Sequence, residues 1–136
     1  MKKIVLAFSG GLDTSFCVPY LIDKGFEVHT IFVNTGGISK NIEKQISYKS
    51  KKLGAKKHHS VNVETKLWKQ ILTPLIWSGS LYQGKYPVLC SDRYLIVSEA
   101  VNLCKKLKTN LIAHGCTGMG NDQVRFDMSI KALGNY

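Results

Sequence analysis

Between Ala7 and Ser15 the chain reads Ala7-Phe8-Ser9-Gly10-Gly11-Leu12-Asp13-Thr14-Ser15, an apolar stretch passing through two adjacent glycines into a run of hydroxyl residues. Glycines let a backbone turn tightly and approach a ligand, and the unspent N–H groups at the start of a following helix favour phosphate oxygens. Ser9, Thr14 and Ser15 add hydroxyl donors, and Asp13 serves either as a helix cap or as a carboxylate for Mg2+. The competing reading is a plain glycine turn followed by a capped helix. The segment is neither a Walker loop, since no Gly-Lys-Ser/Thr follows four spacers, nor a G-x-G-x-x-G fingerprint.

The second concentration of chemistry is His114-Gly115-Cys116-Thr117-Gly118-Met119-Gly120-Asn121-Asp122-Gln123-Val124-Arg125-Phe126. Three glycines give backbone access, Arg125 offers a planar fork for a carboxylate, and Asp122 can receive an ammonium, which together suit a zwitterionic amino acid. Equally open from composition is a structural reading, in which Asp122 caps the last helix and Arg125 makes an internal ion pair.

Other candidates carry less. Cys17, Cys90, Cys104 and Cys116 are scattered, with no C-x-x-C pair, and read as reduced cytosolic thiols without a disulfide frame or zinc site. His58 and His59 fall on opposite faces of a strand and read as ordinary strand histidines. Lys plus Arg number 19 against 9 Asp plus Glu, a net charge of +10, and nearly all of the excess is lysine, which reads as a solvated surface without base-specific recognition.

These residues need a scaffold. With 136 residues, 44% hydrophobic and 21% charged, the chain has the usage of one ordinary globular domain, which argues against disorder and fibrous repeats. The apolar run after Met1-Lys2-Lys3 stops at Ser9, too short for export or membrane insertion. Lys3 to Phe8 reads as a strand covered on both faces, and Thr14 to Lys24 as a helix kinked or loosened by Pro19 and closed by Gly25. Glu27 to Val33 is a second strand, followed by a helix capped by Ser39, with Ile42, Ile46 and Leu53 on its apolar face, ending at Gly54. Lys57 to Val63 is a polar, edge-type strand, followed by a helix carrying Leu67, Ile71, Leu72 and Leu75. Ser78 to Cys90 reads as a long loop with Tyr82 and Tyr86. A helix from Ser91 or Asp92, a fourth strand over Asn110 to Ala113, a glycine loop and a last helix from about Asp122 to Leu133 complete the chain. Strand and helix alternate throughout, which predicts an α/β fold with a doubly wound parallel sheet and helices on both faces. Both glycine loops then leave carboxyl ends of strands, where such sheets bind ligands.

The first segment resembles the PP-loop of the N-type ATP pyrophosphatases, S-G-G-x-D-S/T-S. Taken with the second, the whole chain resembles the amino-terminal nucleotide-binding domain of the argininosuccinate synthase family, whose second motif reads H-G-x-T-G-x-G-N-D-Q-V-R-F. The resemblance implies a strand order of 3-2-1-4, with the family's fifth strand missing here. It also implies an ATP-dependent ligase that joins citrulline and aspartate through a citrullyl-adenylate, releasing AMP and pyrophosphate, with Mg2+ accompanying ATP. By matching position, Ala7, Phe8, Ser9, Gly10, Gly11, Leu12, Asp13, Thr14, Ser15, Val33 and Gly115 fall to ATP. Thr117, Asn121 and Asp122 fall to aspartate, and Tyr86, Ser91, Asn121 and Arg125 to citrulline. No side chain is singled out as a catalytic nucleophile, and no metal ligand set is implied.

The chain departs from the family at Met119, where lysine is common, at Arg93-Tyr94, where Arg-Pro is usual, and at the less acidic turn Asn34-Thr35-Gly36-Gly37. Family members are considerably longer, so residues 1–136 are expected to form a single ATP-binding domain, with the second, synthetase domain absent. The resemblance further implies a cytoplasmic setting, small-molecule partners, no nucleic acid, no membrane, and a homo-oligomer in full-length members. The alternative is a PP-loop ATPase of tRNA modification, which would use the first loop and the lysine excess but has no counterpart of the second motif. A non-catalytic nucleotide-sensing module is a third reading.

Overall fold

In the computed structural model, the described residues are 1–87, 90–118 and 120–136, with the backbone alone for Tyr86 and Pro87. Strand β1 (Lys2–Ala7) lies at the centre of the sheet, because Ile4 to Phe8 is apolar on both of its faces. Ile4, Leu6 and Phe8 pack with Val18 and Val28, against which Leu21, Ile22, Ile46 and Leu53 close. Val5 faces the opposite side, among Ile31, Val33, Leu95, Leu103 and Cys104. This alternation on one strand builds two cores, one per face of the sheet.

The chain continues as α1 (Leu12–Asp23), β2 (Phe26–Asn34), α2 (Lys40–Lys52) and β3 (Lys57–Asn62). Ser39 caps α2 by accepting from the Ile42 amide, as its position predicts, and Gly54 follows that helix at φ +97. Pro19 does not break α1, which continues through it. After β3 come α3 (Glu64–Leu67), a π-helical turn over Trp68–Leu72, and α4 (Thr73–Ser78). The single helix expected here is thus reorganised next to Pro74. Proline has no N–H for the α ladder, and just before it the Thr73 amide reaches back to Trp68 O.

The segment expected to be an irregular loop instead contains a short antiparallel hairpin, β4 (Leu81–Tyr82) with β5 (Tyr86–Pro87). Helix α5 (Asp92–Leu107) then runs to β6 (Ile112–His114), and α6 (Asn121–Leu133) follows. The main sheet is parallel with the order β3-β2-β1-β6. Counting β6 as the fourth strand of this sheet, that is the expected 3-2-1-4 order. It starts two residues later and ends one residue later than the expected Asn110 to Ala113. The Thr109 hydroxyl donates to Lys3 O at 2.7 Å and anchors the approach, while His114 pairs with Ala7 and belongs to the strand.

Part of the lysine excess sits where helix ends favour it. Lys49, Lys51 and Lys52 sit in the last turn of α2, Lys105 and Lys106 in that of α5, and Lys131 in that of α6. There they face the negative end of each helix dipole. Among the described residues no helix is long and apolar enough to cross a membrane.

Candidate functional site

Because β1 is buried and paired on both sides, it delivers Ser9 to Gly11 rigidly to the carboxyl edge of the sheet. Gly10 turns the chain at φ +79, a conformation that residues with side chains rarely adopt. Gly11 is the N-cap of α1, and among the described residues no side chain caps this helix. The first intrahelical bond is Ser15 N to Gly11 O at 3.0 Å, so the amides of Leu12, Asp13 and Thr14 are not spent within the helix. Ser9 Oγ and Thr14 Oγ1 lie 3.2 Å apart across the turn, and Ser9 Oγ accepts from the Gly11 amide at 3.3 Å. Ser15 turns inward and donates to Gly11 O at 2.6 Å, which fixes the loop from within the helix.

Strand β6 carries the second loop to the same edge. His114 Nδ1 accepts from the Cys116 amide at 3.3 Å, so its proton sits on Nε2, which donates to Asp127 Oδ1 at 3.1 Å. Gln123 Nε2 donates to the other oxygen of Asp127. The donation from His114, then that from Gln123, holds the Asp127 carboxyl below the usual carboxylate range. Gly120 closes the loop with a bond from its amide to Thr117 O and is the N-cap of α6. Asp122 therefore does not cap the last helix. The other half of the structural reading does hold, since Arg125 donates to Asp122 Oδ1 at 3.0 Å.

Asp122 has a second cation. Arg93, on the first turn of α5, donates to Asp122 Oδ2 at 3.2 Å and grips Asp92 at 2.9 and 3.0 Å. Arg93 and Arg125 are the chain's two arginines, and both meet on one carboxylate. Arg93 first, then Arg125, pulls the Asp122 carboxyl below its ordinary range.

The two loops line one cleft of about 720 Å³. Of the residues expected to bind ATP, the cleft takes Ala7, Phe8, Ser9, Gly11, Leu12, Asp13, Thr14, Val33 and Gly115, but its described lining lacks Gly10 and Ser15. Thr117, Asn121, Asp122 and Arg125 line the same space. Ser91 stands outside that lining, immediately before α5. The side chain of Tyr86 and the departure at Met119 lie outside the described residues. The cleft also contains Arg93, which was not expected there, and His114 and Gln123, which belong to the second motif but were assigned no ligand. For Arg93 a signal existed, since a chain so rich in lysine keeps arginine at just two positions. Burial pushes the Cys116 thiol up from its usual value, so it is a poor nucleophile despite its place in the wall.

A parallel sheet that brings a strand–Gly-Gly–helix loop and a second glycine loop to one crevice defines an α/β ligand-binding domain of the Rossmann-like class. The family model described as "Arginosuccinate synthase N-terminal HUP domain" matches residues 3–135. The chain belongs to the argininosuccinate synthase family. It is 54% identical over 135 residues to the argininosuccinate synthase of Xanthomonas axonopodis pv. citri (strain 306), with 99% of this chain and 33% of that protein covered. To the argininosuccinate synthase of Xylella fastidiosa (strain Temecula1) it is 52% identical over 135 residues, covering 99% of this chain and 34% of the relative. The chain thus spans about a third of the length of these curated relatives. Among solved structures, it resembles the crystal structure of a predicted subunit of tRNA methyltransferase from Methanocaldococcus jannaschii, at a TM-score of 0.54 and 19% identity, covering 96% of this chain and 65% of that one. That likeness is one of fold.

Proposed function

We propose that this chain is the nucleotide-binding domain of an ATP-dependent ligase that condenses citrulline with aspartate through a citrullyl-adenylate, releasing AMP and pyrophosphate. The observation that carries this reading is the meeting of the two glycine loops: Gly115 lies directly against Thr14, at the uncapped amino end of α1. Phosphates placed at that helix end would take the amides of Leu12 to Thr14 and the hydroxyls of Ser9 and Thr14. Val33, at the end of β2, forms an apolar wall for adenine.

Asp122 receives the ammonium of aspartate, beside Thr117 and Asn121, while Arg125 with Asn121 receives the carboxylate of citrulline. The Arg125–Asp122 pair then opens, at small cost because both side chains are about 40% exposed. Citrulline's ureido oxygen attacks the α-phosphorus of ATP and pyrophosphate leaves. The aspartate ammonium then gives one proton to solvent, the amine so formed attacks the ureido carbon of the adenylate, and AMP leaves as a second proton passes from the new C–N nitrogen to solvent. Positioning of the reactants carries most of the rate. Mg2+, when bound with ATP, would spread charge over the departing pyrophosphate. Asp13, a carboxylate in the cleft wall at the helix end, suits a cation otherwise bound by phosphate oxygens and waters.

In this reading residues 1–136 form one ATP-binding domain, and the second domain of full-length members completes the citrulline site. The free thiols Cys17, Cys90, Cys104 and Cys116 suit a cytoplasmic setting. Incubating the chain with Mg·ATP, citrulline and aspartate tests the reading. The expected result is measurable nucleotide binding by calorimetry without argininosuccinate formation. Absence of nucleotide binding, or tight RNA binding that displaces nucleotide, would overturn it.

A further inference from the structure

The Gly10 carbonyl accepts from Lys49 Nζ of α2 at 2.6 Å, with Ser15 Oγ a longer second donor at 3.5 Å. Ile46, one turn earlier on α2, stands 3.2 Å from the place a Cβ on Gly10 would occupy. Helix α2 therefore backs the phosphate loop with an apolar contact and a cation. The described lining of the cleft includes Gly11 but neither Gly10 nor Lys49, so this cation acts from behind the loop.

The peptide between Gly10 and Gly11 is trans, so its carbonyl and N–H point in opposite directions. With the carbonyl fixed on Lys49, the Gly11 N–H points to the other side and bonds Ser9 Oγ, which lines the cleft. A Gly-Gly peptide has no Cβ on either side to resist rotation. Were it to flip, a carbonyl oxygen would face the cleft in place of the N–H that holds Ser9 Oγ, releasing that hydroxyl and repelling phosphate. The charge-assisted bond from Lys49 opposes that flip.

We propose that Lys49 is a positioning residue for triphosphate binding, which locks the Gly10–Gly11 peptide with its carbonyl outward and its amide on the cleft side, where it holds the Ser9 hydroxyl for phosphate. The proposal rests on the nucleotide reading above. The competing role is that of a lysine in the last turn of α2, complementing the helix dipole, which would affect stability slightly and phosphate binding not at all.

The test compares the parent chain with Lys49→Met and Lys49→Arg by calorimetry, using Mg·ATP, inorganic pyrophosphate and adenosine as separate probes. Amide NMR of the ligand-free proteins is recorded in parallel. Lys49→Met is expected to weaken Mg·ATP and pyrophosphate by about tenfold and leave adenosine unchanged, with Lys49→Arg recovering most of the loss. In the ligand-free chain, Lys49→Met should shift the Gly11 amide resonance and speed its hydrogen exchange, with the thermal midpoint nearly unmoved. An unchanged Gly11 amide in Lys49→Met, or equal losses for adenosine and Mg·ATP, would overturn the proposal. Failure of the parent to bind Mg·ATP would instead defeat the nucleotide reading, and the Gly11 amide would still decide what Lys49 does.

Discussion

A methyl group placed on Gly115 would lie 2.9 Å from Thr14 Cγ2 and 3.1 Å from the Thr14 amide nitrogen. Two loops a hundred residues apart in sequence thus touch through the absence of one side chain. Gly115 does not have a positive φ, so space alone demands glycine. The Thr14 methyl can rotate away, but the backbone nitrogen cannot.

The Gly115→Ala variant should therefore push the loops apart and cost about 1–3 kcal/mol of stability, the usual range for overpacking. It should also weaken Mg·ATP binding, because the amino end of α1 moves with Thr14. Urea midpoints and calorimetry check both effects. A variant as stable and as tightly binding as the parent would show that the close approach has no consequence.

Asp122→Asn separates ligand binding from stability. The carboxylate neutralises both Arg93 and Arg125, yet at 44% side-chain exposure these pairs should contribute only ~1 kcal/mol or less to folding. Removing the charge should leave the urea midpoint nearly unchanged while abolishing the aspartate-dependent part of the calorimetric signal. A large stability loss with amino-acid binding intact would assign Asp122 to the fold.

How much of this was legible in the sequence depended on how local each feature is. The three strands β1, β2 and β3, the Ser39 cap and the glycine loop at Gly10 and Gly11 all follow from contiguous residue patterns, and the structure repeats them within a residue or two. The hairpin of Leu81–Tyr82 with Tyr86–Pro87 was not legible, because two-residue strands carry no period to read. The π turn before Pro74 depends on which carbonyl each amide selects, something residue types leave open. In the site, the glycine loops could be read locally, whereas the partners of Arg93 and His114 could not. Arg93 reaches Asp122 because α5 packs on α6, and His114 reaches Asp127 across the second loop. Only the folded chain brings these pairs together.

The His114–Asp127 bond is expected to hold the second loop in shape for its ligands. His114→Ala removes both the acceptor for the Cys116 amide and the donor to Asp127. Hydrogen exchange at Cys116 should accelerate, and aspartate binding should weaken more than nucleotide binding, since Thr117 and Asn121 belong to the loop while the phosphate loop does not. Asp127→Asn, which keeps a hydrogen-bond acceptor for Nε2, should show a smaller effect. Unchanged exchange at Cys116 in His114→Ala would count against this role.

Acid should destabilise the chain through His58, and the direction follows from where its ring sits. Nδ1 is 2.9 Å from Thr30 Oγ1, which in turn lies 2.6 Å from Ser50 Oγ, while Nε2 has no partner among the described residues. Burial first, then the neighbouring His59 and Lys51, lowers the pKa of His58 from 6.5 to about 4. The unfolded chain therefore takes up a proton near pH 6.5 that the folded chain refuses until about pH 4. Stability from the neutral ring is complete above pH 6.5 and is lost progressively as pH falls toward 4. Solvent at the half-buried ring keeps the total loss to ~1–2 kcal/mol. His59, also lowered by burial and by Lys57, adds in the same direction. Urea midpoints measured from pH 7 down to pH 5 should fall in the parent, before most carboxylates titrate, at about one proton or slightly more per chain. His58→Asn, which can still bond Thr30 but takes no proton, should be less stable than the parent at pH 7 and show a shallower decline. An identical pH slope in the two proteins would mean that His58 is already solvated in the folded state.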